Sequence, residues 1–199
     1  AELSALSSPY YEPARGRLKF RGKPIVRSQG VYADFASHAL DRYAKMVHAL
    51  GADQSLELGS RGTIPHKDEF QLMVIGTTIG SFGFEIEEAP KESKLFPELS
   101  PAKAAMEKAN IIMELSEGAS DDVIAEAIAE VSTRAIDAIR AFLEVMEDSG
   151  AEFSIELDDK FLPFFGLDQI KRTIERLRPE NIREWDGELS GKFQGALPD

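Results

Sequence analysis

A chain of 199 residues with 43% hydrophobic and 29% charged residues has the composition of one soluble globular domain. Its net charge of −12 argues against general affinity for nucleic acid, which needs an excess of lysine and arginine on one face. The absence of cysteine excludes disulfides, thiol nucleophiles and cysteine-based zinc sites. The sequence has no apolar run of about 18 residues and no secretory signal, so it predicts a cytoplasmic protein without a membrane partner.

We expect residues 1–14 to be a flexible lead. The first strand is predicted directly after this lead, in a segment where cations occupy every second position. In RGRLKFRGK, residues 15–23, Leu18 and Phe20 alternate with basic residues, which is the period of a strand with one apolar face. A row of cations is also what an edge strand uses to deter unwanted pairing. We expect the basic face to bind an acidic surface, either the protein's own or a partner's. Its members are Arg15, Arg17, Lys19, Arg21 and Lys23.

A helix and a hairpin follow. Apolar residues three to five positions apart predict a helix over 31–50, with Gly51 as its C-terminal stop. In residues 70–75 apolar side chains occur at both odd and even positions, as in a central strand that is covered on both faces. Residues 82–88 alternate between apolar and polar positions. The two segments predict a β-hairpin.

The polar loop over 59–69 is the strongest candidate for a small-molecule site. It holds arginine, histidine, lysine and two acids within nine residues, which suits an anion such as a nucleotide or phosphate, or a His–acid pair for proton transfer. The alternative is that these are the solvated side chains of an exposed loop. A binding site would bring the loop against a helix and the hairpin. The candidate residues are Arg61, His66, Lys67, His38 and Glu85.

Three helices are predicted between 100 and 149. Ser100 before a proline is typical of a helix start, and Gly150 of a helix end. Alternation predicts one strand over 151–157, and apolar spacing predicts a last helix over 168–178.

The C-terminal segment predicts a strand over 183–199, because Leu189, Phe193 and Leu197 alternate with polar residues. Pro198 and the final aspartate suit the start of a turn, but no hairpin partner follows. Three explanations remain open. The chain is truncated, another chain supplies the partner strand, or the segment pairs with an earlier strand.

Motifs with demanding spacing are absent from the sequence. The glycine stretch 76–83 lacks the lysine of a Walker loop and leads into a strand rather than a helix. Ser81 lacks the setting of a hydrolase nucleophile. Asp158 and Asp159 could join a Mg²⁺ site but are as typical of a turn. With three histidines and no H-x-x-x-H spacing, we expect no metal and no cofactor.

The stretch IGTTIGSFGFEIEE, residues 75–88, resembles a G-S-F-G-F-E-[IL]-E-E hairpin in bacterial proteins of no established function. The similar region covers most of the chain, including GKPIVRSQG (22–30) and GELSGKFQGALPD (187–199). In those proteins the last segment continues into further strand. The resemblance implies a bacterial source and a truncated chain, and it implies no catalytic residue.

Together these patterns predict an α+β fold: an antiparallel sheet, the 31–50 helix packed on it and a helical sub-bundle at one side. After the 1–14 lead come a strand-helix-hairpin part (15–99), a helical part with one strand (100–182) and the C-terminal strand. The predicted function is a non-catalytic bacterial interaction or regulatory protein acting through protein partners or as a homo-oligomer. The alternative is an enzyme or binding domain for an anionic small molecule at the 59–69 loop. Nucleic-acid binding through the basic strand is the least favoured function.

Overall fold

The computed structural model describes residues 13–27, 29–55, 62–64, 67–78, 82–90, 100–158 and 160–183. Their fold is α+β, as predicted, with an antiparallel five-stranded sheet and a separate two-stranded one. The strands are β1 (Arg15–Gly22), β2 (Ile25–Val26), β3 (Gly30–Val31), β4 (Leu72–Thr78), β5 (Gly83–Glu88), β6 (Ala151–Leu157) and β7 (Lys160–Phe165). The helices are α1 (Ala33–Ser55), α2 (Pro101–Gly118), α3 (Asp121–Ile128), α4 (Thr133–Ser149), α5 (Leu167–Arg176) and α6 (Pro179–Arg183).

The basic strand lies in the middle of the sheet. The strand order is β4-β5-β1-β6-β7, and β1 pairs antiparallel with β5 on one side and β6 on the other. The expectation that β1 is an edge strand was therefore wrong. Alternating cations define one face of a strand but carry no information about what pairs with its two edges. The neighbouring strands supply acids, so the cations attract the flanking strands instead of repelling them.

Strand β4, which the sequence placed in the centre, comes first in the strand order of the described residues. Its pairing with β5 confirms the predicted hairpin, although the register shifts at a bulge between Val74 and Gly76. The apolar residues at both odd and even positions of 70–75 had predicted a strand that is buried on both faces. In the structure Val74 and Ile75 are each 51% exposed, so this apolar run is partly solvated.

The hydrophobic core lies between one face of the sheet and the helices. Phe20 of β1 meets Phe35 of α1 edge to face, with ring centroids 5.1 Å apart. Phe142 of α4 packs between Tyr43 of α1 at 5.7 Å and Phe153 of β6 at 5.0 Å. Such edge-to-face pairs add to the free energy of burial. They join helices α1 and α4 to the neighbouring strands β1 and β6.

Two predicted helix signals are confirmed. The Ser100 side chain caps α2 by accepting from the backbone N–H of Lys103 at 3.0 Å. Helix α4 ends at Gly150, whose φ of 61° is the left-handed conformation that favours glycine.

The end of α1 differs from the prediction. The helix continues through Gly51 to Ser55. Gly51 is buried, and a Cβ at this position would overlap the Phe70 ring. The glycine therefore allows close packing inside the helix and does not end it.

Strand β7 was not predicted, so the 100–182 part holds two strands instead of one. Pro163 and the surrounding aromatic residues hide its alternation, and the register against β6 shifts between Phe153 and Ile155. The predicted C-terminal strand lies outside the described residues, apart from Arg183, whose backbone ends α6. Within the described ranges, none of the helices is long and apolar enough to cross a membrane.

Candidate functional site

The sheet face opposite the core carries charged side chains in alternation, and we call it the charged face. Cations of β1 lie beside acids of β5 and β6, because residues paired in register on an antiparallel sheet point to the same side. Arg17, for example, lies directly between Glu85 and Glu156. The charged face consists of Arg15, Arg17, Lys19 and Arg21 of β1, Glu85 and Glu87 of β5, and Glu152 and Glu156 of β6.

Arginine side chains connect β1 to β5. Arg15 Nε lies 2.5 Å from Glu87 Oε2, and Arg17 Nε lies 3.3 Å from Glu85 Oε1. The side chains of Arg15 and Arg17 remain 68% and 50% exposed. Pairs this open contribute at most about 1 kcal/mol each to stability, so much of each guanidinium remains accessible to a partner.

Glu156 connects two cations of β1. It accepts from Lys19 Nζ at 2.8 Å and from Arg17 Nη1 at 3.4 Å. The hydrogen bond from Lys19, with smaller contributions from the charges of both cations, lowers the pKa of Glu156 despite the opposing effect of burial. The carboxylate is therefore held ionised in the middle of the charged face.

The other two predicted partner-binding cations lie at the far end of β1. The Arg21 guanidinium carbon lies 3.5 Å from the centroid of the Phe164 ring of β7, which is a cation–π contact. Lys23 follows the strand, and its backbone N–H donates to Gly150 O at 3.1 Å. The charged face thus includes four of the five cations predicted from the sequence.

An open cleft of about 540 Å³ lies at the start of β1. Cations and acids line it in equal number, and Lys103 of α2 forms an ion pair with Asp158 across it. Asp158 adopts a φ of 48°, which fits the turn role that was one of its two predicted roles. The charged residues of the cleft are Arg15, Arg17, Lys103, Glu85, Glu156 and Asp158. Because its positive and negative side chains are equal in number, the cleft suits a ligand with both positive and negative groups better than it suits a phosphate.

Of the predicted anion-site residues, Arg61 and His66 lie outside the described residues, as does the Lys67 side chain. His38 is exposed on α1, and Glu85 belongs to the charged face. Lys67 begins a 3₁₀ turn.

That turn contacts the other end of α1 from His38. Its last residue, Phe70, packs at Gly51, which lies about 20 Å along the helix axis from His38. The described residues therefore do not bring His38 and the 3₁₀ turn together, and an anion site at the loop stays a prediction. Within the described ranges, no group of three or more His, Asp or Glu side chains is arranged to hold a metal ion.

Sequence reasoning did not identify the two margins of the charged face. Phe161 of β7 is 57% exposed beside Glu156, its partner in register, and Ile75 of β4 borders the cleft. Ile75 belongs to the apolar run at 70–75, but this run was interpreted as a buried strand in the centre of the sheet. The exposure of Ile75 beside the charged face was therefore not predicted.

No protein-family model matches the chain, and neither a curated protein nor a solved structure is significantly similar to it.

Proposed function

We propose that this chain is a non-catalytic interaction or regulatory protein that binds a protein partner through its charged face. The observation that supports this most directly is the composition of that face. Its four cations are matched by four acids, and the side chains of Arg15 and Arg17 are at least half exposed.

Alternating charges favour recognition of one partner in one register, because a shift of one position sets like charges against each other. The partner that fits is a protein surface with the complementary alternation. Phe161, exposed at the margin, adds an aromatic side chain of a type that is enriched at protein interfaces.

The same balance disfavours nucleic acid as the partner. Binding to phosphates gains from the release of counterions by excess cations, and here the acids already neutralise the cations of β1. A bacterial source and a cytoplasmic location belong to this proposal, on the resemblance of the hairpin and on the cysteine-free composition. No described contact favours the alternative anion site over this proposal.

The test is site-specific photo-crosslinking in cells of the source organism. A photoreactive residue at Phe161 reports on the charged face, and one at Val123, an exposed residue of α3, serves as its control. We expect one partner to be captured from position 161 and not from 123.

Charge reversal then tests the role of the charged face. Arg17→Glu should abolish the capture, whereas Arg178→Glu should not, since Arg178 is an arginine of similar exposure, 52%, paired with Glu175 on another face. Capture that survives Arg17→Glu would refute the proposal. So would turnover of a nucleotide, phosphoester or peptide by the purified protein.

A further inference from the structure

The cleft at the start of β1 has the shape and the side chains of a small-molecule site. Residues from four strands and from helix α2 line its volume of about 540 Å³, which lies within the range of ligand pockets. We propose that the cleft binds a free α-amino acid, with the ligand's carboxylate at Arg15 and Arg17 and its ammonium at Glu85. The inference goes beyond the proposed function, because the ligand is a small molecule and not a protein.

The charges of the cleft favour a ligand that carries both signs of charge. Three cations and three acids line it. The acids repel a polyanion such as phosphate, and the cations repel a polyamine. An uncharged ligand gains only neutral hydrogen bonds, which are about half as strong as charge-assisted ones. A zwitterion finds an oppositely charged partner for each of its two groups.

The spacing of these charges fits a ligand whose two charged groups lie close together. Arg17 Nε lies 3.3 Å from Glu85 Oε1, and the two residues are paired in register across β1 and β5. A ligand that contacts both side chains must hold a carboxylate and an ammonium at a similar separation. An α-amino acid carries both groups on one carbon atom and meets this condition in every conformation.

The ion pairs of the cleft are open enough to accept such a ligand. Arg15 meets Glu87 through Nε, and its side chain is 68% exposed, so a carboxylate can reach the guanidinium and bind it through two parallel hydrogen bonds. The contacts of Arg17 with Glu85 and Glu156, at 3.3 and 3.4 Å, are longer than strong charge-assisted bonds. A ligand can therefore bind here without breaking a strong bond.

Ile75 gives the cleft an apolar margin. It borders the cleft from β4 and is 51% exposed. An apolar side chain on the ligand would remove part of this surface from water, which favours binding. We therefore expect leucine to bind more tightly than glycine.

The test is a series of ligands added to the purified wild-type chain, with the amide chemical shifts of residues 15–17 and 83–88 as the readout. Leucine should bind with a dissociation constant on the order of 1 mM, as expected for a small ligand in an open site. N-acetyl-leucine lacks the ammonium, and leucinamide lacks the carboxylate. Each should bind about tenfold more weakly, which is the loss that removing one charge-assisted contact produces.

Two variants assign the groups of the ligand to side chains of the cleft. Arg15→Gln should weaken leucine binding about tenfold without weakening that of leucinamide, because leucinamide has no carboxylate to lose its partner. Glu85→Gln should weaken leucine binding without weakening that of N-acetyl-leucine. Arg178→Gln is the matched control, since Arg178 is an exposed arginine that pairs with Glu175 outside the cleft.

Three results would overturn the inference. One is the absence of shifts at 15–17 and 83–88 with leucine up to about 10 mM. Another is binding of N-acetyl-leucine or leucinamide as tight as that of leucine, which would show that one charge is sufficient. The third is equal leucine binding by wild type, Arg15→Gln and Glu85→Gln, which would place the ligand elsewhere. The ligand series uses wild type alone, so it decides the matter even where a variant fails to fold.

Arg17 and Glu85 also belong to the surface proposed above for a protein partner. An amino acid in the cleft should therefore compete with that partner, and this consequence rests on the proposed function. The binding itself is measured without any partner, so the two proposals fail separately.

Discussion

The Ser100 hydroxyl donates to the buried carboxylate of Glu88 while it accepts from the backbone N–H of Lys103. Glu88 also accepts from the backbone N–H of Ala14 at 3.3 Å. One side chain therefore caps α2 and fixes the helix to β5 and to the residue before β1.

Removing this hydroxyl should cost more stability than removing an ordinary cap. We expect Ser100→Ala to lower the free energy of unfolding by about 2–3 kcal/mol, because a helix cap and a donor to a buried carboxylate are both lost. Ser132→Ala is the matched control, since the Ser132 hydroxyl accepts from Ala135 N and, among the described contacts, does not donate to a carboxylate. It should cost about 1 kcal/mol. Equal losses in urea denaturation would show that the bond to Glu88 adds nothing.

The ionised state of Glu156 depends on Lys19. In Lys19→Met the pKa of Glu156 should rise, because the first cause of its lowering is the hydrogen bond from Lys19. A lowered pKa in the folded state stabilises the protein above the unfolded value of about 4.3, and this contribution is lost as the pH falls through the folded value. The stability difference between wild type and variant, about 1 kcal/mol or less, should therefore vanish at low pH.

NMR titration of the Glu156 carboxyl carbon measures this directly. Lys45→Met serves as the control, because Lys45 pairs with Asp41 on α1, away from the sheet. An unchanged pKa of Glu156 in Lys19→Met would contradict the assignment.

Gly51 should resist substitution although it lies inside a helix. Alanine would improve helix propensity by about 1 kcal/mol, but its Cβ would overlap the Phe70 ring. We expect Gly51→Ala to destabilise by about 1–3 kcal/mol in chemical denaturation. Phe70→Leu in the same chain should recover part of the loss, which a double-mutant cycle measures. Gly118→Ala in α2, where a Cβ meets nothing within 4 Å, should be neutral or stabilising.

Neutralising the acids of the charged face should create affinity for polyanions. We expect wild type not to bind duplex DNA at low salt, and the triple variant Glu85→Gln, Glu87→Gln, Glu156→Gln to bind it. The variant leaves Arg15, Arg17 and Lys19 without their acidic partners. Its affinity should fall with salt at a slope set by about three phosphate contacts. Salt-dependent binding by wild type would mean that the acids do not neutralise the cations.

The sequence was sufficient to predict which face of a strand a residue occupies but not which strands are neighbours. The alternation around Leu18 and Phe20 correctly predicted a buried and a charged face. The same period occurs in edge and central strands, because pairing uses the backbone, which carries no side-chain signal. The placements of β1 and β4 were both wrong for this reason.

The acidic partners of the basic strand could be predicted only in part. Glu85 and Glu87 were visible as close neighbours in an alternating segment. Glu156 lies 139 residues from Arg17 along the chain, and only the pairing of β6 with β1 brings them together. The open question of whose acids the basic face meets is answered for Arg15, Arg17 and Lys19: those of the protein itself.

Pro163 limits the pairing capacity of β7, the strand at one end of the described sheet. Its nitrogen carries no hydrogen, so β7 offers one backbone donor fewer to a pairing strand. In polymer chemistry a unit that cannot couple further is a chain stopper, and a proline in an end strand has that effect on growth by repeated strand addition.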